Sequence, residues 1–167
     1  EKLNGASAYH VRFSAQSKGL INYLFPINDR IDLWLNEDSL LTVKELLQIR
    51  EGNYKKSQKM IFNHNKNFVV LNSDTLTIPD NAHSPYALFY FFRNKNSNLE
   101  KLNTLHTVSG KKTTALKVEI EKDVKVNVPA GDFTCTKVTP VKLNEKKFKN
   151  RSQMSILFSD DENRYPV

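Results

Sequence analysis

One cysteine, Cys135, in 167 residues excludes an internal disulfide framework and any CxxC or multi-cysteine zinc site. Five glycines leave little material for a phosphate-cradling loop, and the chain holds no GxGxxG, P-loop or GxSxG pattern. Nucleotide binding and nucleophile-elbow hydrolysis therefore have no support. His10, His64, His83 and His106 are dispersed, with no HxH or HExxH spacing, so neither a metal nor another cofactor is expected. No apolar run approaches the roughly 18 residues of a membrane helix, which argues against a transmembrane span. Glu1 rather than Met opens the chain, so the lack of a leader does not indicate a compartment.

Ten Phe and six Tyr are too many large hydrophobes for a solvated chain, although apolar residues make up only 39%. The length suits a single domain over 1–167. The 25 Lys+Arg against 18 Asp+Glu give a formal charge of +7. The positive charge gathers at Lys55, Lys56, Lys59 and Lys66, and again at Lys142, Lys146, Lys147, Lys149 and Arg151. Such patches would steer an anionic partner. Lys outnumbers Arg 19 to 6, which suits a solvated face better than dedicated phosphate recognition. Aromatic and basic residues do not interleave in the RNA-recognition manner, so nucleic acid is not an expected partner.

Period-two alternation dominates the chain. Tyr9, Val11 and Phe13 precede Lys18-Gly19, and Ile21, Tyr23, Phe25 and Ile27 continue the pattern as the second arm of an expected hairpin. Ile31, Leu33 and Leu35 form another strand, ending at the turn cluster Asn36–Ser39. Leu116, Val118 and Ile120, then Val124, Val126 and Val128, read as a hairpin turning at Glu121-Lys122-Asp123, and Phe133 to Val141 makes it a three-strand meander. Phe68 to Leu71 and Met154 to Phe158 are shorter strands. Leu40 to Arg50 is ambiguous. Thr42-Val43-Lys44-Glu45 has capping-box spacing, yet Glu51-Gly52-Asn53 signals a turn between two extended segments. Ser84 as N-cap and Pro85 at the first helical position predict a short, nearly all-apolar helix through Arg93, with a central strand as the alternative.

Cys135 lies in an alternating strand and reads as a small hydrophobe rather than a nucleophile. Asp160-Asp161-Glu162 is the one dense acidic cluster. It reads as a charged turn, since no complete calcium loop surrounds it. Asn150-Arg151-Ser152 fits the glycosylation triplet, a pattern common by chance.

The order of short motifs resembles a bacterial family of exported proteins catalogued as domain of unknown function 3108. Arg30-Ile31-Asp32-Leu33-Trp34-Leu35 leads to Leu40-Leu41, Arg50-Glu51-Gly52-Asn53-Tyr54 and Phe62, like that family's long hairpin with its EGxY turn. Asp80, Ser84, Ala87, Leu88, Tyr90 and Arg93 resemble its D-x-x-S-A-x-Y-x-x-R helix, with one extra residue before Ser84. Pro129-Ala130-Gly131-Asp132-Phe133 matches its PAGxF turn, and Phe158-Ser159-Asp160-Asp161 with Arg164 and Pro166 its terminal sDD-x-x-R-x-P; Leu157 stands where that motif often carries Trp. The resemblance implies a mainly β fold, a curved antiparallel sheet or half-open β-barrel with one short aromatic helix. It also implies export to the periplasm or cell envelope, favours strand over helix for Leu40 to Arg50, and casts the sDD turn as a structural partner of Arg164 or Arg30. Against the family pattern the chain starts after the first strand, which leaves open a missing or disordered edge strand. The family supplies no activity.

The leading functional expectation is a non-enzymatic envelope domain that binds a lipid, another amphipathic ligand or an envelope protein in the sheet's concavity, with Trp34, Tyr86, Phe89 and Tyr90 lining it. The alternative is a module that holds anionic glycan or membrane through a basic face, with Lys55, Lys56 and Lys59 as anion contacts. A hydrolase or transferase using Asp160, Asp161 or another carboxylate ranks last, since it needs two carboxylates converging in a cleft and no such pair is visible in one dimension.

Overall fold

The computed structural model describes residues 1–3, 5–95, 97, 99, 102, 104–143 and 154–167. Lys146, Lys147, Lys149 and the Asn150-Arg151-Ser152 triplet lie outside them. The fold is mainly β, as expected, with two curled antiparallel sheets. The chain divides into two compact units, Glu1–Ala87 with Val108–Thr113, and Leu88–Thr107 with Thr114–Val167.

The first unit is built on a seven-stranded sheet in sequence order: β1 (Lys2–Leu3), β2 (Ala6–Gln16), β3 (Asn28–Asn36), β4 (Thr42–Glu51), β5 (Tyr54–Asn63), β6 (Phe68–Leu71) and β7 (Asp74–Thr77). Because side chains alternate along a strand, its two faces separate cleanly. Leu33, Leu35, Leu47, Met60, Phe62, Val69 and Leu71 are buried on one, and Met60, Phe62, Val69 and Leu71 cluster there with Ile78, Ala82 and Val108. That cluster packs the β5–β7 part of this face, while Tyr9 on β2, on the same face, is 51% exposed. The other face carries His10, Arg12, Arg30, Asp32, Trp34, Lys44, Arg50, Lys55 and Lys59, aligned by the cross-strand pairs His10↔Trp34, Arg12↔Asp32, Trp34↔Lys44 and Arg50↔Lys55.

Thr42–Glu51 is a strand, so tertiary pairing overrides its local helical signals. It turns into β5 through Gly52-Asn53. Gly52 has φ +56°, and a Cβ there would come within 2.8 Å of the Phe25 ring. Gly52→Ala should therefore destabilise the protein by about 1–2 kcal/mol in urea unfolding, through the left-handed backbone and the clash together. Adding Phe25→Ala should recover only the clash. No loss in the single variant would contradict this reading.

Two expected hairpins are corrected. Ile21 to Ile27 does not return as a strand: Gly19–Leu24 is a short helix, α1, and β3 is the partner of β2, with Gln16↔Asn28 the last pair before the connection. Burial explains the choice, because pairing through Ile31, Leu33 and Leu35 places Leu33 and Leu35 in the core, whereas α1 buries no residue. Pro26 also lacks the N–H a central strand would donate.

The second unit contains β8 (Leu105–Ser109), β9 (Lys112–Val128), β10 (Gly131–Lys142) and β11 (Ile156–Ser159), in sheet order β11-β10-β9-β8, although the tips of β8 and β9 belong to the first unit. Leu116 to Val128 is one strand rather than a hairpin. Asp123, at φ +58°, sits in a bulge where the register shifts by one residue, while β10 pairs with β9 on both sides of it. A 3-10 turn at Pro85–Ala87 ends the first unit, and helix α2 (Leu88–Arg93) begins the second. Leu88 and Phe92 of α2 pack with Leu105, Leu116, Val138 and Phe158. Ser84 is the expected cap: its Oγ accepts from the Tyr86 N–H at 3.3 Å and its carbonyl from the Ala87 N–H at 3.0 Å.

Candidate functional site

The polar face of the seven-stranded sheet centres on Asp32, which is only 3% exposed. Its Oδ1 accepts from Arg12 Nε at 2.7 Å and His10 Nε2 at 2.8 Å, and its Oδ2 from Arg30 Nε at 2.6 Å. Burial would raise this carboxyl, but the bonds from Arg30, Arg12 and His10 outweigh it and hold the pKa at about 2. Asp32 is thus a fixed anion that sets two guanidiniums side by side.

Beside them lies an open cavity of about 370 Å³ lined by Arg12, Ser14, Gln16, Asn28, Asp29, Arg30, Gln48 and Arg50. The Asp29 carboxylate is occupied by the Arg50 backbone N–H at 2.8 Å. Among the described residues, Arg50, Lys55 and Lys59 have no ion-pair partner within 4 Å. The face therefore combines positioned guanidiniums, amide donors and uncompensated cations, a donor-rich surface suited to an anion.

Lys55 and Lys59 stand on this face, as the alternative reading requires, whereas Lys56 pairs across from Ile49 on the core side and acts electrostatically on Glu45. Arg12 is not singled out by the sequence, and Arg30 and Arg50 stand there only as motif residues, because successive members of the three are 18 and 20 residues apart and share one face only through strand register. Arg30, an expected partner of the sDD turn, bonds Asp32. The i, i+2 spacing of His10-x-Arg12 and Arg30-x-Asp32 was the available signal.

The four aromatic residues expected to bind ligand are placed differently. Trp34 is 8% exposed on the polar face, stacked on His10 at 4.4 Å and covered by Lys44 Nζ 4.0 Å from its ring centre, with its Nε1 donating to Glu1 Oε2 at 2.7 Å. Both of its faces are taken. Tyr86 is partly exposed in the first unit, its hydroxyl shifted up by burial and by Glu45 and Asp29. Phe89 and Tyr90 belong to the second unit, where their rings meet edge to face at 5.4 Å and Phe89 contacts Phe158 at 5.8 Å. Phe89 serves that unit's core.

Under the core face of the first unit, buried Glu45 accepts from Ser84 Oγ at 2.5 Å and Gln58 Nε2 at 3.3 Å, and Thr42 Oγ1 accepts the Ser84 N–H at 3.0 Å. Burial raises the Glu45 carboxyl against these bonds and the charge of Lys56. Burial, with a smaller contribution from His64, lowers His83 to about 4. Ser84 is fully buried and committed to Glu45, so this cluster pins the 82–84 loop to β4. In the second unit, Asp161 Oδ1 accepts the backbone N–H groups of Asn163 and Arg164, and Asp160 Oδ1 accepts Thr136 Oγ1 at 2.6 Å. The sDD turn thus holds backbone, while the Arg164 guanidinium donates to the Phe92 carbonyl at 3.3 Å. The fully buried Cys135 thiol is shifted up by burial and the charges of Asp160 and Asp161, away from the thiolate. Among the described residues, no three His, Cys, Asp or Glu side chains group to hold a metal, and no helix is long and apolar enough to cross a membrane.

The fold and this face define a β-sheet domain with a donor-rich polar surface. The chain belongs to the family described as Protein of unknown function (DUF3108), whose model matches residues 1–167. No curated protein and no solved structure matches it.

Proposed function

We propose that the chain is a non-enzymatic, exported cell-envelope domain that holds an anionic group, phosphate or sulfate in class, on the polar face of its seven-stranded sheet. The observation that carries the binding reading is the Asp32-anchored pair Arg12 and Arg30 beside a cleft that also takes in Arg50. The guanidinium fork matches oxyanion geometry, and Asp32 holds both forks in place before any ligand arrives. Export is supported by the resemblance to exported proteins. The buried cluster of Met60, Phe62, Val69 and Leu71 with Ile78, Ala82 and Val108 supports placing the ligand on the polar face rather than against the β5–β7 part of the opposite one.

Tripolyphosphate is the probe, titrated by calorimetry at about 50 and 200 mM salt. Binding should weaken several-fold across that range, since exposed charge pairs are screened. Arg50→Gln with Lys55→Gln, which break no ion pair within the protein, should weaken it by about tenfold or more, and Lys125→Gln in the second unit should leave it unchanged. Absent or salt-independent binding would overturn the proposal, as would equal losses from the two sets of variants.

A further inference from the structure

Helix α1 is the least explained element of the first unit. Leu20 is 75% exposed, Ile21 65%, Tyr23 85%, Leu24 73% and Phe25 51%, so five large hydrophobes in a row of six residues face solvent. A contiguous exposed apolar surface of this kind marks an interaction site. The segment is nonetheless held in place. Ser17 and Ile27 close its base through Ser17 N–H to Ile27 O at 3.0 Å and Ile27 N–H to Ser17 Oγ at 2.8 Å. The Gly52 N–H donates to the Pro26 carbonyl at 2.8 Å, and Ile27 bridges to Glu51, which ties α1 to the β4–β5 turn.

The register shows what stands beside it. Gln16↔Asn28 is the pair from which the α1 connection leaves the sheet, and both residues line the basic cleft. The β4–β5 turn at the same end places Arg50 opposite Lys55 and carries Tyr54, which is exposed. Lys18 precedes the helix. The acidic groups at this end are Asp29, engaged with the Arg50 backbone, and Glu51, partly buried at the turn. α1 itself carries no charge. An uncharged apolar tip, an exposed tyrosine and a collar of cations form the arrangement that enters the interface of an anionic bilayer, with side chains in the acyl boundary and Lys and Arg at the phosphates.

We infer that this end of the first unit docks on an anionic lipid surface, α1 entering the interface while the basic cleft meets the headgroups. The inference rests on the anion-binding reading and names the source of the anion. A short helix whose apolar side chains are 51–85% exposed suits a fluid surface, and the cationic collar selects a negative one.

The test is co-sedimentation of the protein with vesicles of neutral phosphatidylcholine, with and without about one third phosphatidylglycerol. Three proteins are compared: wild type, a tip variant (Leu20→Ser, Ile21→Ser, Leu24→Ser) and a collar variant (Lys18→Gln, Arg50→Gln, Lys55→Gln). All replaced residues are exposed, and unfolding midpoints check that each variant folds. Wild type should bind the anionic vesicles at least about tenfold more tightly than the neutral ones, and each variant should lose about tenfold or more on the anionic vesicles. The tip variant should retain its affinity for tripolyphosphate. Wild type that binds tripolyphosphate but no vesicle would overturn the lipid inference and leave the anion reading standing, as would a tip variant that sediments like wild type. Loss of both kinds of binding in wild type would overturn both.

Discussion

Asp32→Ala should destabilise the first unit by about 2–3 kcal/mol in urea unfolding at pH 7, among the largest losses expected from one polar substitution here. The carboxylate is buried and receives three charge-assisted or imidazole hydrogen bonds. Removing it leaves the Arg12 and Arg30 guanidiniums adjacent with nothing between them. Both arginines are about half exposed, so water relieves part of the cost and the loss stays below that of a fully buried pair. The pH dependence is the sharper readout. The Asp32 pKa is lowered to about 2, so its contribution is complete above the unfolded value near 3.8 and fades as pH falls through 2. The gap between wild type and Asp32→Ala should be constant from pH 7 to about 4 and shrink between 4 and 2. A gap that does not change with pH would mean that Asp32 acts through packing alone.

His83 produces a second and separate pH window. Its pKa is lowered to about 4 by burial, helped by the charge of nearby His64, whereas in the unfolded chain it titrates near 6.5. Between those values the unfolded state takes up a proton that the folded state refuses. Stability is therefore fully present above about 6.5, falls as pH drops and levels off below 4, a loss of about 3 kcal/mol for a shift of that size. Glu45 opposes this trend, because its raised carboxyl takes a proton more readily in the folded state than in the unfolded one. Comparing the wild-type stability profile with that of His83→Gln isolates the histidine. The variant should lack the decline between pH 6.5 and 4, and an unchanged slope would contradict the assignment.

How much could be read from the sequence depended on whether the signal was local. The β4–β5 turn was legible because Gly52 meets a backbone requirement that its neighbours announce. Ser84 and Pro85 were legible for the same reason, as a cap and a first helical residue. The 21–27 segment misled because its apolar residues alternate as a strand would, and nothing local reveals that Ile31, Leu33 and Leu35 compete for the same partner with deeper burial to gain. Lys122-Asp123 read as a turn because a bulge and a turn share the same residue chemistry; they differ only in whether one partner strand continues past them. The candidate site was the least legible part. Lysine clusters are visible in one dimension and drew attention to Lys55, Lys56 and Lys59, but alternation sends Lys56 to the other face. The arginines come from three strands, and only register brings Arg12 beside Asp32 and Arg50 beside Lys55. Trp34 reads as a ligand contact because the chain has more aromatic residues than one small core plainly requires. Its two faces are instead taken by His10 and Lys44, residues 24 and 10 positions away.

The measurement that bears most directly on the central claim is an amide-resolved NMR titration of the protein with tripolyphosphate. The anion-binding account predicts saturable shifts concentrated at Arg12, Ser14, Asn28, Arg30, Gln48, Arg50 and Lys55, the residues that share one face of β2 to β5. Small, unsaturable shifts spread over lysines of both units, or shifts confined to the second unit, would contradict it.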